Sequence, residues 1–74
     1  MRIKITNKIE QRVNEYQAKT GATKKFIASK VGISPSRMYQ IFQAEDMMIY
    51  MYIRFAIFLN CPLDDLVEYE VLDY

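Results

Sequence analysis

Residues 24–43, KKFIASKVGISPSRMYQIFQ, decide the fold that the sequence predicts. Ile27 and Val31 lie four residues apart, which places both on one face of a helix. The next residue is Gly32, and helices often end at a residue in the left-handed conformation that glycine adopts without strain. Residues 34–35 are serine and proline, which are favourable as the N-cap and the first residue of a second helix. The stretch therefore predicts two short helices joined by a tight turn.

The second of these helices has two different faces. Its apolar face consists of Met38, Ile41 and Phe42, which recur at helical spacing. The polar residues that point away from them are Ser36, Arg37 and Gln40, with Tyr39 at the edge. Two helices and a glycine-led turn, with hydrogen-bonding side chains on the outer face of the second helix, are typical of a DNA-reading helix-turn-helix.

This stretch resembles the helix-turn-helix of the lambda-repressor and Cro-type transcriptional regulators. Counted from Lys24, that pattern has a small fifth residue, a glycine in ninth place, and apolar residues in the fourth, eighth, tenth, fifteenth and eighteenth places. Here those places hold Ala28, Gly32, Ile27, Val31, Ile33, Met38 and Ile41. Residues 55–66, FAIFLNCPLDDL, resemble the closing signature of the same family, which reads alanine, then Leu-Gly-Val, then Leu-Asp-Glu-Leu.

The resemblance implies an all-α fold. It would be a compact five-helix, lambda-repressor-like domain over residues 1–74, with helices 2 and 3 as the helix-turn-helix of residues 24–43. The first helix should begin near Asn7, which imitates a capping box with Glu10, and it should end at Gly21.

The two ends of the chain leave an alternative open. Residues 1–5 and 67–71 both alternate apolar residues with polar ones, which is the period of a strand. If they pair as short terminal strands, opposite charges should meet across the pair. Those charges are Arg2 and Lys4 on one side and Glu68 and Glu70 on the other. Otherwise the tail would extend the last helix.

The same resemblance implies a sequence-specific DNA-binding transcriptional regulator, of the kind that bacteria and temperate phages use as a switch. Its double-stranded operator would receive helix 3 in the major groove, where arginine prefers guanine edges and glutamine prefers adenine edges. Arg37 and Gln40 are therefore the expected base readers. The expected phosphate contacts come mostly from Lys24, Lys25, Ser34, Ser36 and Tyr39.

The charge of the chain is divided between its two halves. The net charge is only +1, but residues 1–40 hold nine basic and two acidic side chains, a net charge of +7. Residues 41–74 hold one basic and seven acidic side chains, a net charge of −6. The basic half contains the helix-turn-helix, where a polyanion would dock. The alternative is a solvated surface whose charges are segregated by chance.

Residues 47–59, MMIYMYIRFAIFL, form an unusually apolar stretch in which Arg54 is the single charge. The stretch is too short to cross a bilayer, which takes about 20 residues. As a fourth helix it would face the core with Met48, Tyr52, Phe55, Ala56 and Leu59. The side around Arg54 would then consist of Tyr50, Ile53, Ile57 and Phe58. This side predicts a protein interface, for a homodimer or for a complex with a partner repressor, unless the fifth helix and the chain ends cover it.

Glu45 and Asp46 depart from the family pattern, which often has a glycine and a basic residue near a phosphate at this point. Two carboxylates would repel a phosphate, although they would also favour the positive end of the fourth helix. A second functional hypothesis follows from this departure and from the apolar fourth helix. It is an antirepressor or co-repressor that acts by contact with a partner repressor.

The residue types exclude several classes of chemistry. With one cysteine and no histidine, the chain can form neither an internal disulfide nor an ordinary zinc site. No nucleophile with a partner base and no glycine-rich phosphate loop is visible, and Asp64 and Asp65 would diverge on a helix. We therefore expect no enzyme activity, cofactor, metal, small-molecule ligand or membrane. A cytoplasmic protein is expected, because residues 1–5 lack the apolar core of a signal peptide behind them.

Overall fold

The computed structural model describes residues 1–45 and 47–74, in which four helices share one core and the two ends of the chain pair as strands. In chain order the elements are β1 (Arg2–Asn7), α1 (Ile9–Thr20), α2 (Lys24–Val31), α3 (Pro35–Gln43), α4 (Ile49–Leu59), a 3₁₀ turn (Leu63–Asp65) and β2 (Val67–Asp73). The described residues are 59% helical and 18% strand. The predicted all-α, five-helix fold is therefore wrong.

The fifth helix of the prediction is replaced by the 3₁₀ turn and β2. Only the three residues Leu63–Asp65 are helical, and the Leu66 side chain that follows is fully buried in the core. From Val67 onward, β-branched and aromatic residues alternate with glutamates, which suits a pleated strand better than a helix. A helical tail would also leave the backbone groups of β1 without their partners.

The antiparallel pairing of β1 with β2 confirms the alternative that the alternating chain ends left open, and we call this pair the terminal ribbon. On one face Ile3 lies opposite Val71 and Ile5 lies opposite Tyr69. The charged partners are Arg2 with Asp73, Lys4 opposite Glu70, and Lys8 with Glu68 at 3.0 Å from Nζ to Oε1. The pairing is as expected, but Arg2 reaches a different carboxylate because a bulge shifts the register beside it.

One face of each helix contributes to a single hydrophobic core. The twelve buried residues that form it are Ile9, Val13, Ile27, Ala28, Val31, Met38, Ile41, Phe42, Met51, Tyr52, Phe55 and Leu66. The apolar faces predicted for α2 and α3 are confirmed, because each of their expected residues is buried. Burial of these faces fixes the rotation of both helices.

The turn between α2 and α3 forms as its sequence predicts. Gly32 adopts the left-handed conformation, with a φ of 92°, and its N–H donates to the Ala28 carbonyl at 2.9 Å. Ser34 is the N-cap of α3, and its Oγ accepts the N–H of Arg37 at 3.1 Å. Pro35 is the first helical residue. We call these two helices and their turn the α2–α3 unit (residues 24–43).

The start of α1 differs from the prediction. Asn7 is the last residue of β1, and the helix begins at Ile9 with Lys8 in the N-cap position. The side chain of this N-cap residue makes no capping hydrogen bond. The Asn7 side chain does accept the N–H of Ile9 at 2.9 Å, but its two donors are directed towards α3. The predicted capping box is therefore wrong.

The helix α4 begins at Ile49, two residues after the predicted stretch begins. Met48 therefore lies outside the helix and is exposed, whereas Met51 joins Tyr52 and Phe55 in the core. The placement of Met48 in the core is wrong, because the buried stripe is rotated towards Met51. The other two residues predicted for this core face pack against the core while remaining half-buried: Ala56 and Leu59.

The prediction places Glu45 and Asp46 at the N-terminal end of the fourth helix. The first turn of α4 starts at Ile49 and contains no acidic residue, so the prediction is wrong for Glu45. Glu45 instead lines an open cavity of about 440 Å³ together with residues of the terminal ribbon, among them Ile3 and Leu72. The expectation for Asp46 lies outside the described residues.

Replacing Gly32 with alanine should destabilise the fold. A left-handed backbone costs a residue with a side chain about 1–2 kcal/mol, and an added Cβ would lie 3.1 Å from the Arg54 guanidinium. Gly21→Ala is the matched control, because Gly21 is also left-handed (φ 74°) but its added Cβ meets no atom within 4 Å beyond its chain neighbours. In urea unfolding, Gly32→Ala should lose more free energy of unfolding than Gly21→Ala. Equal losses would mean that Arg54 moves aside without cost.

Candidate nucleic-acid interface

The outer face of α3 is the candidate surface for DNA. Met38, Ile41 and Phe42 are buried on the opposite side and hold the helix in one orientation. The exposed side chains are Ser36, Arg37, Tyr39, Gln40 and Gln43. Our sequence reasoning missed Gln43, although its position three residues after Gln40 places the two on one face.

Arg37 and Gln40 lie side by side on this face. Arg37 Nη1 is 3.4 Å from Gln40 Oε1, which is long for a hydrogen bond, so the contact is weak. A guanidinium carries five N–H donors, and most of those of Arg37 therefore remain available to a ligand. The structure thus brings together the two side chains that the sequence singles out as base readers.

Ser34 and Tyr39 have partners within the domain. The Ser34 Oγ accepts the backbone N–H of Arg37, which leaves the hydroxyl hydrogen free to donate to a phosphate. The Tyr39 ring packs edge-on against Phe42, with 6.0 Å between the ring centroids, and the residue is 52% exposed. Both residues therefore combine a role in the fold with a polar group near the α3 face.

Lys24 and Lys25 occupy the first turn of α2 but differ in exposure and in hydrogen bonding. Lys25 is exposed, whereas Lys24 is half-buried and its Nζ donates to Gln17 Oε1 at 2.9 Å. Gln17 in turn donates to the Ala22 carbonyl at 3.1 Å, so α1 holds Lys24 in place. Sequence reasoning missed Gln17, because no local pattern shows that it meets Lys24 across the turn. Lys25 is the lysine that can reach a phosphate without losing a partner.

Ion pairs cancel part of the charge asymmetry along the chain. Within residues 1–45 and 47–74 the ion pairs join Arg2 to Asp73, Lys8 to Glu68, and Arg12 to both Glu15 and Asp65. The cations of the α2–α3 unit take part in none of these pairs; they are Lys24, Lys25, Lys30 and Arg37. Positive potential is therefore concentrated on the unit that also carries the polar face of α3.

The outer side of α4 presents an apolar surface. Ile57 is 75% exposed, Tyr50 is 43% exposed and Ile53 is 41% exposed. Together with the exposed Ile49 and with Met48, which directly precedes the helix, they form what we call the α4 face: Met48, Ile49, Tyr50, Ile53 and Ile57. Beside it is an open groove of about 300 Å³ lined by Lys30, Val31, Arg54, Ile57 and Phe58. Several large apolar side chains exposed on one helix favour an interaction site.

Arg54 and Phe58, which the sequence assigns to the same interface, make contacts within the domain. Arg54 Nη1 donates to the Val31 carbonyl at 3.2 Å and so satisfies an acceptor at the C-terminal end of α2. Its guanidinium carbon lies 5.6 Å from the centre of the Tyr50 ring. The Phe58 ring packs against Tyr16 of α1, with 5.1 Å between the centroids. These two residues therefore join α4 to α2 and to α1.

Cys61 is the single cysteine and lies half-buried after α4. Burial raises the pKa of its thiol, the Asp65 carboxylate raises it further, and Arg12 opposes them with a smaller lowering. A thiol with a raised pKa is a poor nucleophile, because little thiolate is present at neutral pH. Among the described residues, no group of three or more cysteines and carboxylates could hold a metal ion, and no helix has the length and apolarity needed to cross a membrane.

Among the described helices, two exposed faces have no evident role in the packing of the domain. One is the polar face of α3, and the other is the α4 face. Both lie on helices whose orientation is fixed by buried residues on the reverse side. No protein-family model matches the chain, and no curated protein is significantly similar to it.

Proposed function

We propose that the protein is a sequence-specific regulator of transcription that binds a double-stranded DNA operator and reads its major groove with α3. The observation that carries the proposal is the pair of Arg37 and Gln40 on the exposed face of a helix whose reverse side is buried. The resemblance of residues 24–43 to the helix-turn-helix of lambda-repressor and Cro-type regulators supports the same function. A switch regulator of bacteria or temperate phages, acting in the bacterial cytoplasm, is the kind of protein that fits this proposal.

The dimensions of α3 suit the major groove. A helix with its side chains is about 10–12 Å across, and the major groove of B-DNA is about 12 Å wide. Because Arg37 and Gln40 are three residues apart, they are offset by about 4.5 Å along the helix axis. Adjacent base pairs are about 3.4 Å apart. The two side chains are therefore spaced to contact a guanine and an adenine in neighbouring base pairs.

Phosphates would be held by the lysines in the first turn of α2, Lys24 and Lys25, which take part in no ion pair within the described residues. Such contacts position a protein on DNA and make its affinity depend on salt, but they carry no sequence information directly. Lys25 is exposed, whereas Lys24 would have to exchange Gln17 for a phosphate. We therefore expect Lys25 to contribute more to the affinity than Lys24.

Replacing Arg37 with alanine should remove discrimination between bases. The expected loss on a preferred site is about 1–3 kcal/mol, or roughly 5- to 150-fold in Kd, with a smaller loss on random DNA. The preferred site is first selected from a pool of random duplexes with the wild-type protein. Fluorescence anisotropy at one fixed salt concentration then gives Kd for the selected site and for random DNA.

Lys25→Ala is the matched control, since it removes a positive charge that does not read bases. It should weaken preferred and random DNA alike and flatten the slope of log K against log salt by about one unit. Equal losses of Arg37→Ala on preferred and random DNA would contradict base reading. A duplex pool that shows no enrichment would contradict sequence-specific binding altogether.

A second candidate function is favoured by the α4 face. An antirepressor or co-repressor would bind a partner repressor through this apolar surface, and α4 carries no acidic residue that would have to be buried. A gel shift on the promoter of its own gene, with and without a candidate partner repressor, separates the two functions. If the pure protein shifts the DNA, direct reading of DNA is supported. If the protein shifts no DNA by itself and only changes the shift made by the repressor, the second function is supported.

A further inference from the structure

The side chain of Asn7 joins the end of β1 to the end of α3. Its Nδ2 donates to the Ile41 carbonyl at 2.7 Å and to the Ala44 carbonyl at 2.9 Å. Its Oδ1 accepts the N–H of Ile9 at 2.9 Å. Both donors of the amide are thus engaged with acceptors that lie 34 and 37 positions later in the chain.

The end of α3 lacks the left-handed residue that ends the other described α-helices. Among the helices of the described residues, α1, α2 and α4 end at left-handed residues, Gly21, Gly32 and Asn60, whose N–H groups bond to carbonyls near the end of the helix. The residue after α3 is Ala44, which is extended (φ −74°, ψ 131°) and whose N–H donates to the Ile41 carbonyl at 3.2 Å. The last carbonyls of a helix have no i+4 partner within it, and Asn7 adds a second donor to the Ile41 carbonyl and a donor to the Ala44 carbonyl.

The geometry selects asparagine at this position. Aspartate has the same shape, but it lacks N–H donors and would place a carboxylate against the oxygens of Ile41 and Ala44. Serine has a single donor, and glutamine is longer by one methylene group. Asn7 also lies opposite Val67 in the terminal ribbon, so its amide connects the ribbon to α3.

We propose that Asn7 is a positioning residue for α3, which fixes the C-terminal end of the helix and thereby the way its polar face enters the groove. The expected effect of Asn7 on base reading rests on the proposed function, whereas its expected effect on the position of α3 does not. Gln40 directly precedes Ile41, whose carbonyl Asn7 holds, and Arg37 lies one turn earlier. Loss of the Asn7 donors should therefore relax specificity at the base pair read by Gln40 more than at the one read by Arg37.

The first test measures amide hydrogen exchange and needs no DNA. In Asn7→Asp the N–H groups of residues 42–44 should exchange at least tenfold faster, whereas that of the fully buried Val13 should change by less than twofold. Asn14→Asp is the matched control, because it makes the same substitution at an exposed position of α1, and it should leave all of these rates unchanged. No change in Asn7→Asp, or a uniform increase at every position, overturns the positioning role.

If Asn7→Asp does not fold, amide exchange in the wild-type protein tests the positioning role of Asn7. The side-chain N–H₂ group of Asn7 should exchange at least tenfold more slowly than that of the exposed Asn14, because both of its hydrogens are bonded to carbonyls. Equal exchange rates for the two side chains would overturn the proposal.

The second test measures the ratio of Kd on random DNA to Kd on the preferred site. Asn7→Asp should lower this ratio at least fivefold, mainly through the base pair read by Gln40. Asn14→Asp adds the same negative charge and should leave the ratio within twofold of wild type. Faster exchange in α3 with an unchanged ratio overturns the role in reading. A wild type that binds no DNA overturns the proposed function, and the exchange experiment still decides whether Asn7 positions α3.

Discussion

Replacing Phe55 with alanine should remove a large part of the stability of the fold. Phe55 is fully buried where α4 packs into the core, and truncation of a buried phenylalanine costs about 3–5 kcal/mol. A chain of 74 residues typically has a free energy of unfolding of about 4–11 kcal/mol. The Tm, followed by circular dichroism, should therefore fall by roughly 12 °C or more.

Ile57→Ala is the matched control on the same helix. Ile57 is 75% exposed, so its truncation should change the free energy of unfolding by no more than about 0.5 kcal/mol. The measurement belongs at low protein concentration, where association does not contribute to stability. Similar losses for the two variants would show that α4 does not turn Phe55 inward and Ile57 outward.

Ile57→Asp should abolish association through the α4 face. A fully buried isoleucine contributes about 1.5–3 kcal/mol, and a buried carboxylate without a partner costs further free energy. We expect Kd to rise by at least roughly a hundredfold, while the circular-dichroism spectrum remains helical. Sedimentation equilibrium of the pure protein tests a second copy as the partner. Titration with a candidate repressor tests the mixed complex.

Asn14→Asp adds the same charge to an exposed part of α1 and should leave association unchanged. If the partner is a second copy, the two α3 helices should lie about 34 Å apart, so that they enter successive major grooves. A wild type that stays monomeric and does not respond to a repressor would exclude the α4 face as an interface. Unfolding of Ile57→Asp would instead place Ile57 in the core.

Local signals are sufficient to predict the α2–α3 unit. Gly32, Ser34 and Pro35 each act within one turn of their own position, and the turn and caps form as their chemistry predicts. Three apolar residues at helical spacing then fix the rotation of α3. The exposure of Arg37 and Gln40 follows from the same periodicity, so the polar face of the candidate site could be predicted from the sequence.

Long-range contacts account for most of what could not be predicted. The alternation of residues 67–71 permits a strand, but only the pairing with β1 decides against a fifth helix. The Asn7 side chain can cap the helix that follows it, which is a local role. Its two amide donors, however, bond to carbonyls that no residue near Asn7 in the sequence predicts. The start of α4 carries no signal either, because its N-cap residue is Met48, whose side chain cannot accept a capping hydrogen bond. The point at which α4 begins therefore depends on its packing in the core and not on a local capping signal.

The strand β1 is synthesised well before the strand with which it pairs. Val67, the partner of Asn7, lies sixty positions later in the chain, and a ribosome that adds about 5–20 residues per second takes roughly 3–12 s to reach it. Helices form far faster than that, in about a microsecond or less. Asn7 does not have to wait for β2, because Ile41 and Ala44 are made well before it. We therefore expect the end of β1 to attach to α3 first, so that β2 adds to an edge already held in place during translation.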